Sequence, residues 1–197
     1  MKYKSEYAFS RGGLCAVVVV ALLAGCAARQ PTDILAGSTA QKLVTYGIDD
    51  LVDALPEDDF ANWAGKRVFV KSHFLANEAV QAYADQRLEV TLARRFDIDV
   101  VDTPLSADAT LNVFYTSLGT DRDTVGFYLP LGFMPGLDPA ARLNLITLER
   151  FQGVAEMYYF VGETGSETRG QVIQARTRTD SLGLPIITIP INNIDRD

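Results

Sequence analysis

The chain has 197 residues, of which 48% are hydrophobic and 22% charged, and its formal net charge at pH 7 is -7. This apolar content excludes a disordered chain, and two cysteines are too few for a disulfide-stapled miniprotein. The acidic balance argues against a nucleic-acid partner, because neutralising phosphates requires clustered lysine and arginine. Length and composition therefore predict one medium-sized globular domain, or at most two small ones.

The first 26 residues have the features of a secretory signal. Basic residues precede an uncharged stretch over residues 12–25, which is short for a bilayer span of about 20 residues. Leu23, Ala24 and Gly25 then stand directly before Cys26. This order resembles the lipobox of bacterial lipoproteins, which implies cleavage between Gly25 and Cys26 and acylation of Cys26. The alternative is a transmembrane anchor that contains a cysteine by chance.

A lipid on Cys26 would hold the mature chain at a membrane, since buried acyl chains contribute about 0.8 kcal/mol per CH2. The lipoprotein resemblance places the chain on the periplasmic face of the outer membrane rather than at the inner membrane, because Ala27 stands where an inner-membrane retention signal has aspartate. We therefore expect a signal peptide over residues 1–25, a lipidated tether over 26–37 and a single domain over 38–197. The covalent lipid is the only cofactor expected.

Hydrophobic spacing predicts the elements of this domain in chain order. The expected elements are a helix over residues 38–55 with a capping box at its start, a strand over 67–72, a helix over 77–96, and strands over 97–101, 110–117, 153–161 and 167–178. Val80, Ala84, Leu88, Leu92 and Phe96 recur every four residues, which predicts one buried stripe. Residues 120–152 are expected to form an apolar insertion, a long irregular connection with a short helix over 139–148.

This order predicts an α/β (α+β) sandwich, in which two helices cover one face of a mixed sheet of about five strands. The motifs that carry a family resemblance are GKRVFV at 65–70, ADATLNV at 107–113, GTDR at 119–122 and the turn ETG at 163–165. GKRVFV, ADATLNV and the ETG turn resemble the small α/β domain of curli-secretion-type and flagellar outer-membrane lipoproteins and of TolB amino-terminal domains. The same layout, with GTDR after the third strand and the hairpin near the end, resembles an uncharacterised family of bacterial lipoproteins.

Residues that could carry chemistry are few. Six acidic residues surround the end of the first helix: Asp49, Asp50, Asp53, Glu57, Asp58 and Asp59. They could bind a divalent cation or a basic partner, or they could form a solvated helix face. His73 is the single histidine, so a histidine-based metal site or triad is not expected. Nucleophile-elbow and phosphate-loop motifs are absent from the sequence, so we expect no catalytic residue, no metal ligand and no enzyme.

The most unusual segment is residues 124–137, which carry no charge and are rich in large apolar side chains, proline and glycine. One interpretation is a loop folded over the sheet edge as part of the core. The other is an exposed patch that docks a partner or enters lipid. The candidate contact residues are Phe127, Tyr128, Leu129, Leu131, Phe133 and Met134.

Three functions are compatible with these features. The first is a non-enzymatic lipoprotein that binds another envelope protein as a structural or assembly accessory. The second is a lipoprotein that handles lipid or lipopolysaccharide, which the acidic net charge argues against, because phosphorylated headgroups prefer clusters of cationic side chains. The third is an envelope enzyme, for which the sequence offers no motif.

Overall fold

The computed structural model describes residues 37–136, 138, 139, 141–163 and 165–191. Gly25 and Cys26, the expected cleavage and lipidation positions, lie outside these residues. The described chain divides into two compact units. We call residues 37–122 and 150–179 the α/β unit, and residues 123–149 and 180–191 the strand unit.

The described residues form three α-helices and a mixed sheet of seven strands. The helices are α1 (Ser38–Asp53), α2 (Glu57–Phe60) and α3 (Glu78–Phe96). The strands are β1 (Arg67–His73), β2 (Asp99–Val101), β3 (Ala109–Pro130), β4 (Arg142–Gly162), β5 (Thr168–Arg169), β6 (Ile173–Gly183) and β7 (Thr188–Pro190). The predicted α/β class is confirmed, but the sheet has more strands than the five expected.

The strand order is β2-β1-β3-β4-β6-β7, and β5 pairs with β4 outside this path. Strand β1 is parallel to both β2 and β3, while β5 is antiparallel to β4 and β7 is antiparallel to β6. The parallel part follows from α3, because a helical crossover returns the chain to the same end of the sheet. The mixed character of the sheet is therefore as predicted.

Helix α3 shows how the sequence sets both the ends and the buried face of an element. The side chain of Asn77 accepts hydrogen bonds from the amides of Ala79 and Val80 and caps the first turn. Asp97 ends the helix in the left-handed conformation, with φ of 55°. The predicted stripe from Val80 to Phe96 is confirmed, because its members are at most 8% exposed.

The core of the α/β unit joins this stripe to α1 and to one face of the central strands. The strand residues that face it include Leu111, Val113, Met157 and Tyr159, which alternate with less buried neighbours along β3 and β4. The capping box expected at the start of α1 is wrong. Gly37 occupies the cap position with φ of 95°, and no side chain caps this end.

The expectation for residues 120–152 is also wrong. Strand β3 continues to Pro130 and β4 begins at Arg142, so the helix expected over 139–148 does not form. The glycine at 126 lies inside β3, where a Cβ atom would overlap the carbonyl of Ile146 and the backbone of Thr147. Proline and glycine in this segment therefore mark a strand end and a close strand approach rather than irregular chain.

Candidate functional site

The strand unit contains a loop that joins β3 to β4 and is held by three backbone hydrogen bonds. The amide of Leu131 donates to the carbonyl of Ala141 across 2.7 Å, that of Met134 donates to Leu131, and that of Ala141 donates to Asp138. Gly132 packs so closely against Pro139 that a Cβ atom at position 132 would overlap its backbone. These contacts give the loop a defined shape.

A second turn joins β6 to β7. The amide of Leu184 donates to the carbonyl of Ile187 across 2.8 Å, and the amide of Ile191 donates to that of Asp180 across 2.9 Å. The hydroxyl of Thr147, a buried residue of β4, donates to the carbonyl of Gly183. Hydrogen bonds thus hold the backbone of the strand unit in place, although its outer surface is apolar.

Large apolar side chains of the strand unit are exposed to an unusual degree. Twelve of them are exposed: Val125, Phe127, Leu129, Phe133, Met134, Leu143, Leu145, Ile146, Ile186, Ile187, Ile189 and Ile191. Phe133 in the β3–β4 loop is 75% exposed and Ile186 is 94% exposed. Among the described residues of the α/β unit, the same class is exposed at Leu75, Leu105 and Val172 alone. We call the twelve residues the apolar surface.

The candidate contact residues divide into two groups. Phe127, Leu129, Phe133 and Met134 are exposed members of the apolar surface, whereas Tyr128 and Leu131 are half-buried. Val125, Phe127 and Leu129 alternate along β3 and so lie on one face of the strand. Four of the six candidate side chains are therefore at the surface and are not buried in a core.

Sequence analysis missed the part of the apolar surface that lies outside residues 124–137. Residues 143–148 and 181–191 are also free of charge, and this feature could have pointed to them. The charged residues of the unit are Asp123, Asp138, Arg142, Glu149 and Asp180. With a single cation in its sequence, this unit is suited to apolar association and not to anion recognition.

The acidic residues around α1 and α2 are largely engaged within the fold. The pairs are Asp49 with Arg87 at 2.6 Å, Glu57 with Arg95 at 3.3 Å and Asp59 with the hydroxyl of Tyr159 at 2.5 Å. In the part of the chain that the structure describes, no group of three or more histidine, cysteine or acidic residues is placed to hold a metal ion. The acidic cluster therefore ties helices to their neighbours.

None of the helices in the described ranges is long and apolar enough to cross a membrane. No protein-family model matches the chain, and no curated protein matches it either. The exposed apolar surface of the strand unit is the candidate functional site.

Proposed function

We propose that the chain is a lipid-anchored lipoprotein of the outer membrane that binds another envelope protein as a non-enzymatic structural or assembly accessory. The observation that carries this proposal is the exposure of twelve large apolar side chains in one small unit. Leaving a side chain of this size in water forgoes about 1.5–3 kcal/mol of burial. A surface of this kind is favourable when a partner covers it.

The composition of the apolar surface fits a protein partner. Cores of protein–protein interfaces are depleted of charge and enriched in aromatic residues and methionine. Residues 124–137 have no charge and include Phe127, Phe133 and Met134 among their exposed side chains. Phe133 and Met134 stand in a loop whose backbone is fixed by hydrogen bonds, so little conformational entropy is lost when they dock.

Lipid handling has less support from the same residues. Recognition of phosphorylated headgroups requires clustered arginine or lysine. The strand unit has one arginine and four acidic residues in its sequence. A protein partner is therefore the occupant that we propose for the apolar surface.

The anchor half of the proposal rests on the Leu23-Ala24-Gly25-Cys26 sequence. In Cys26→Ala we expect an uncleaved precursor that no longer incorporates labelled palmitate. Cys15→Ala is the matched control, because this cysteine lies inside the signal, and it should be processed and labelled as the native chain is. A Cys26→Ala chain that is still cleaved and labelled would contradict lipidation at this position.

The docking half is tested by Phe127→Ser combined with Phe133→Ser. Both side chains are exposed, so the thermal stability of the chain should barely change. A photoreactive amino acid at position 129 is used to crosslink the partner in cells, and the double variant should lose this crosslinked product. The matched control is Leu75→Ser combined with Leu105→Ser, which removes two exposed apolar side chains of the α/β unit. The proposal fails if position 129 crosslinks to lipid alone, or if both double variants behave alike.

A further inference from the structure

A column of stacked rings crosses the α/β unit on the side of the strands that carries no core residues. The ring of His73 stacks on Phe114 at 4.6 Å, and Phe114 stacks on Tyr158 at 5.1 Å. The guanidinium of Arg169 lies 5.2 Å from the ring centre of Tyr158. The three residues stand on β1, β3 and β4, and the two spacings are close to the distance between neighbouring strands, about 4.8 Å. The ring faces are turned to one another, which leaves little face for a sugar or a base to stack on.

A cleft of about 600 Å³ opens beside this column. Its lining residues are His73, Phe74, Leu75, Ala76, Phe114, Tyr115, Thr116 and Tyr158. The walls are mainly aromatic, and they include no acidic residue, lysine or arginine. The volume lies within the range of ligand clefts, which is roughly 300–1,000 Å³. These walls favour an apolar occupant.

The cleft adjoins an open length of strand edge. Strand β3 pairs with β1 as far as His73, whereas β2 pairs with β1 at Arg67, Val68 and Phe69 alone among the described residues. The carbonyl of Lys66 accepts a hydrogen bond from the amide of Asp99 at the start of β2, so it points to the edge of β1 on which β2 lies. The peptide groups of every second residue along a strand point to the same edge, so those of Ser72 also point to the β2 side. They lie beyond the end of β2, so this edge of β1 can accept another strand.

Acidic side chains lie near the same edge on the helix side of β1. The hydroxyl of Ser72 donates to the carboxylate of Asp85 across 2.6 Å, and the hydroxyl of Tyr115 donates to the same carboxylate. The pKa of Glu89 is raised, mainly because burial removes hydration from its carboxylate and to a smaller extent because the carboxylates of Asp85 and Asp102 lie nearby. A cationic side chain placed here would be attracted by three carboxylates.

We propose that the edge of β1 from Val70 to His73 binds an extended peptide segment of a partner protein as an added strand. One side chain of this segment is apolar and enters the cleft. The next points to the opposite face of the strand, where Asp85, Glu89 and Asp102 favour lysine or arginine. The occupant is therefore a segment in which basic and apolar residues alternate. This inference concerns the α/β unit and does not depend on the function proposed for the apolar surface.

The probe for this proposal is the acetylated and amidated peptide Ser-Lys-Phe-Lys-Val-Lys-Ser. The full chain is held in nanodiscs of zwitterionic phospholipid, and hydrogen exchange is followed by mass spectrometry. We expect the peptide to slow exchange over residues 67–76 and to protect His73, the single histidine, from modification by diethyl pyrocarbonate. The same peptide with N-methylated peptide groups keeps its side chains but loses its donors, so it should not protect either site.

Two variants test the chemistry of the site. Glu89→Lys should weaken binding of the probe about tenfold or more, as expected for reversing a charge beside a cationic ligand. Glu163→Lys, in the exposed turn that follows β4, is the matched control, because it makes the same charge change outside the site, and it should leave binding nearly unchanged. Ala76→Trp should close the cleft and abolish protection of His73.

Three results would overturn the proposal. The first is unchanged exchange over residues 67–76 at millimolar probe. The second is equal protection by the N-methylated peptide, which would mean that no strand is added. The third is equal binding of a peptide with glutamate in place of each lysine, which would show that the carboxylates do not select the ligand.

Discussion

The hydroxyl of Tyr159 donates a hydrogen bond of 2.5 Å to the carboxylate of Asp59, a residue that precedes it by 100 positions. Tyr159 is fully buried, and its ring lies 5.4 Å from that of Phe60. Burial, together with the hydrogen bond to Asp59, raises the pKa of Tyr159 well above its usual value, so the phenol stays neutral and donates. This contact ties the short helix α2 to the C-terminal part of β4.

We expect Tyr159→Phe to lower the free energy of unfolding by about 1–2 kcal/mol, because it removes a hydrogen bond to a charged acceptor that is only partly buried. Tyr158→Phe is the matched control. The Tyr158 hydroxyl has no hydrogen bond within the described residues, so this change should stay within about 0.5 kcal/mol. Urea unfolding of both variants measures the difference, and equal losses would contradict a stabilising role for the Asp59 contact.

Leu88 lies in the middle of the buried stripe of α3 and is 1% exposed. Leu88→Ala should cost about 2–5 kcal/mol, through lost burial and the cavity that remains. Leu75→Ala removes the same atoms at a fully exposed position and should change stability by less than about 0.5 kcal/mol. If the two variants melt at the same temperature, burial of the stripe does not stabilise the fold.

Helix α3 could be predicted because its stripe repeats with the helical period and Asn77 marks its start. The continuation of β3 could not, because the proline and glycine content of residues 124–137 outweighed the alternation of Val125, Phe127 and Leu129. Alternation normally indicates a strand with one buried face. Here the apolar members of the alternation are exposed, which sequence analysis has no means to distinguish.

The partners of the acidic residues also could not be predicted from the sequence. Asp49 contacts Arg87 and Asp59 contacts Tyr159, at separations of 38 and 100 residues. Such pairs depend on how α3 and β4 pack against the first two helices, and a single sequence gives no spacing rule for them. The ring column of His73, Phe114 and Tyr158 was missed for the same reason, since its members come from three strands.

Arg67 and Asp108 predict a dependence of stability on acid pH. The guanidinium of Arg67 donates two hydrogen bonds to the Asp108 carboxylate, at 2.8 and 3.2 Å, and its backbone amide donates a third at 3.0 Å. These bonds lower the pKa of Asp108 to about 2. The unfolded value is about 3.9, so folding favours the charged form and this contribution to stability is fully present above about pH 4.

As pH falls from about 4 to 2, Asp108 becomes protonated and its contribution is lost. In Asp108→Asn this contribution is missing at every pH, so the free energy of unfolding should fall less steeply between pH 4 and pH 2 than in the native chain. Glu163→Gln is the control, because this exposed turn residue should leave the slope nearly unchanged. Urea titrations at several pH values measure both slopes, and an Asp108→Asn slope equal to the native one would rule out the linkage.

Gly153 of β4 lies in close contact with α1. A Cβ atom at this position would overlap the carbonyl of Leu43 and the hydroxyl of Thr177. These two groups are themselves joined, because the Thr177 hydroxyl donates to the Leu43 carbonyl across 2.7 Å in a buried site. A Cβ atom at position 153 would force at least one of these groups to move and would so disturb their hydrogen bond.

Gly153→Ala should therefore push α1 away from β4 and lower the free energy of unfolding by more than about 2 kcal/mol, from overpacking and from a buried hydrogen bond that is broken. Gly119→Ala is the matched control in β3. A Cβ atom there has no neighbour within 4 Å, and the backbone of Gly119 does not have positive φ, so alanine should be tolerated or slightly stabilising. Thermal unfolding of the two variants separates the effect of close packing from the general effect of replacing a strand glycine. Similar melting temperatures would mean that α1 can shift over β4 at little cost, and the close approach at Gly153 would then not be a requirement of the fold.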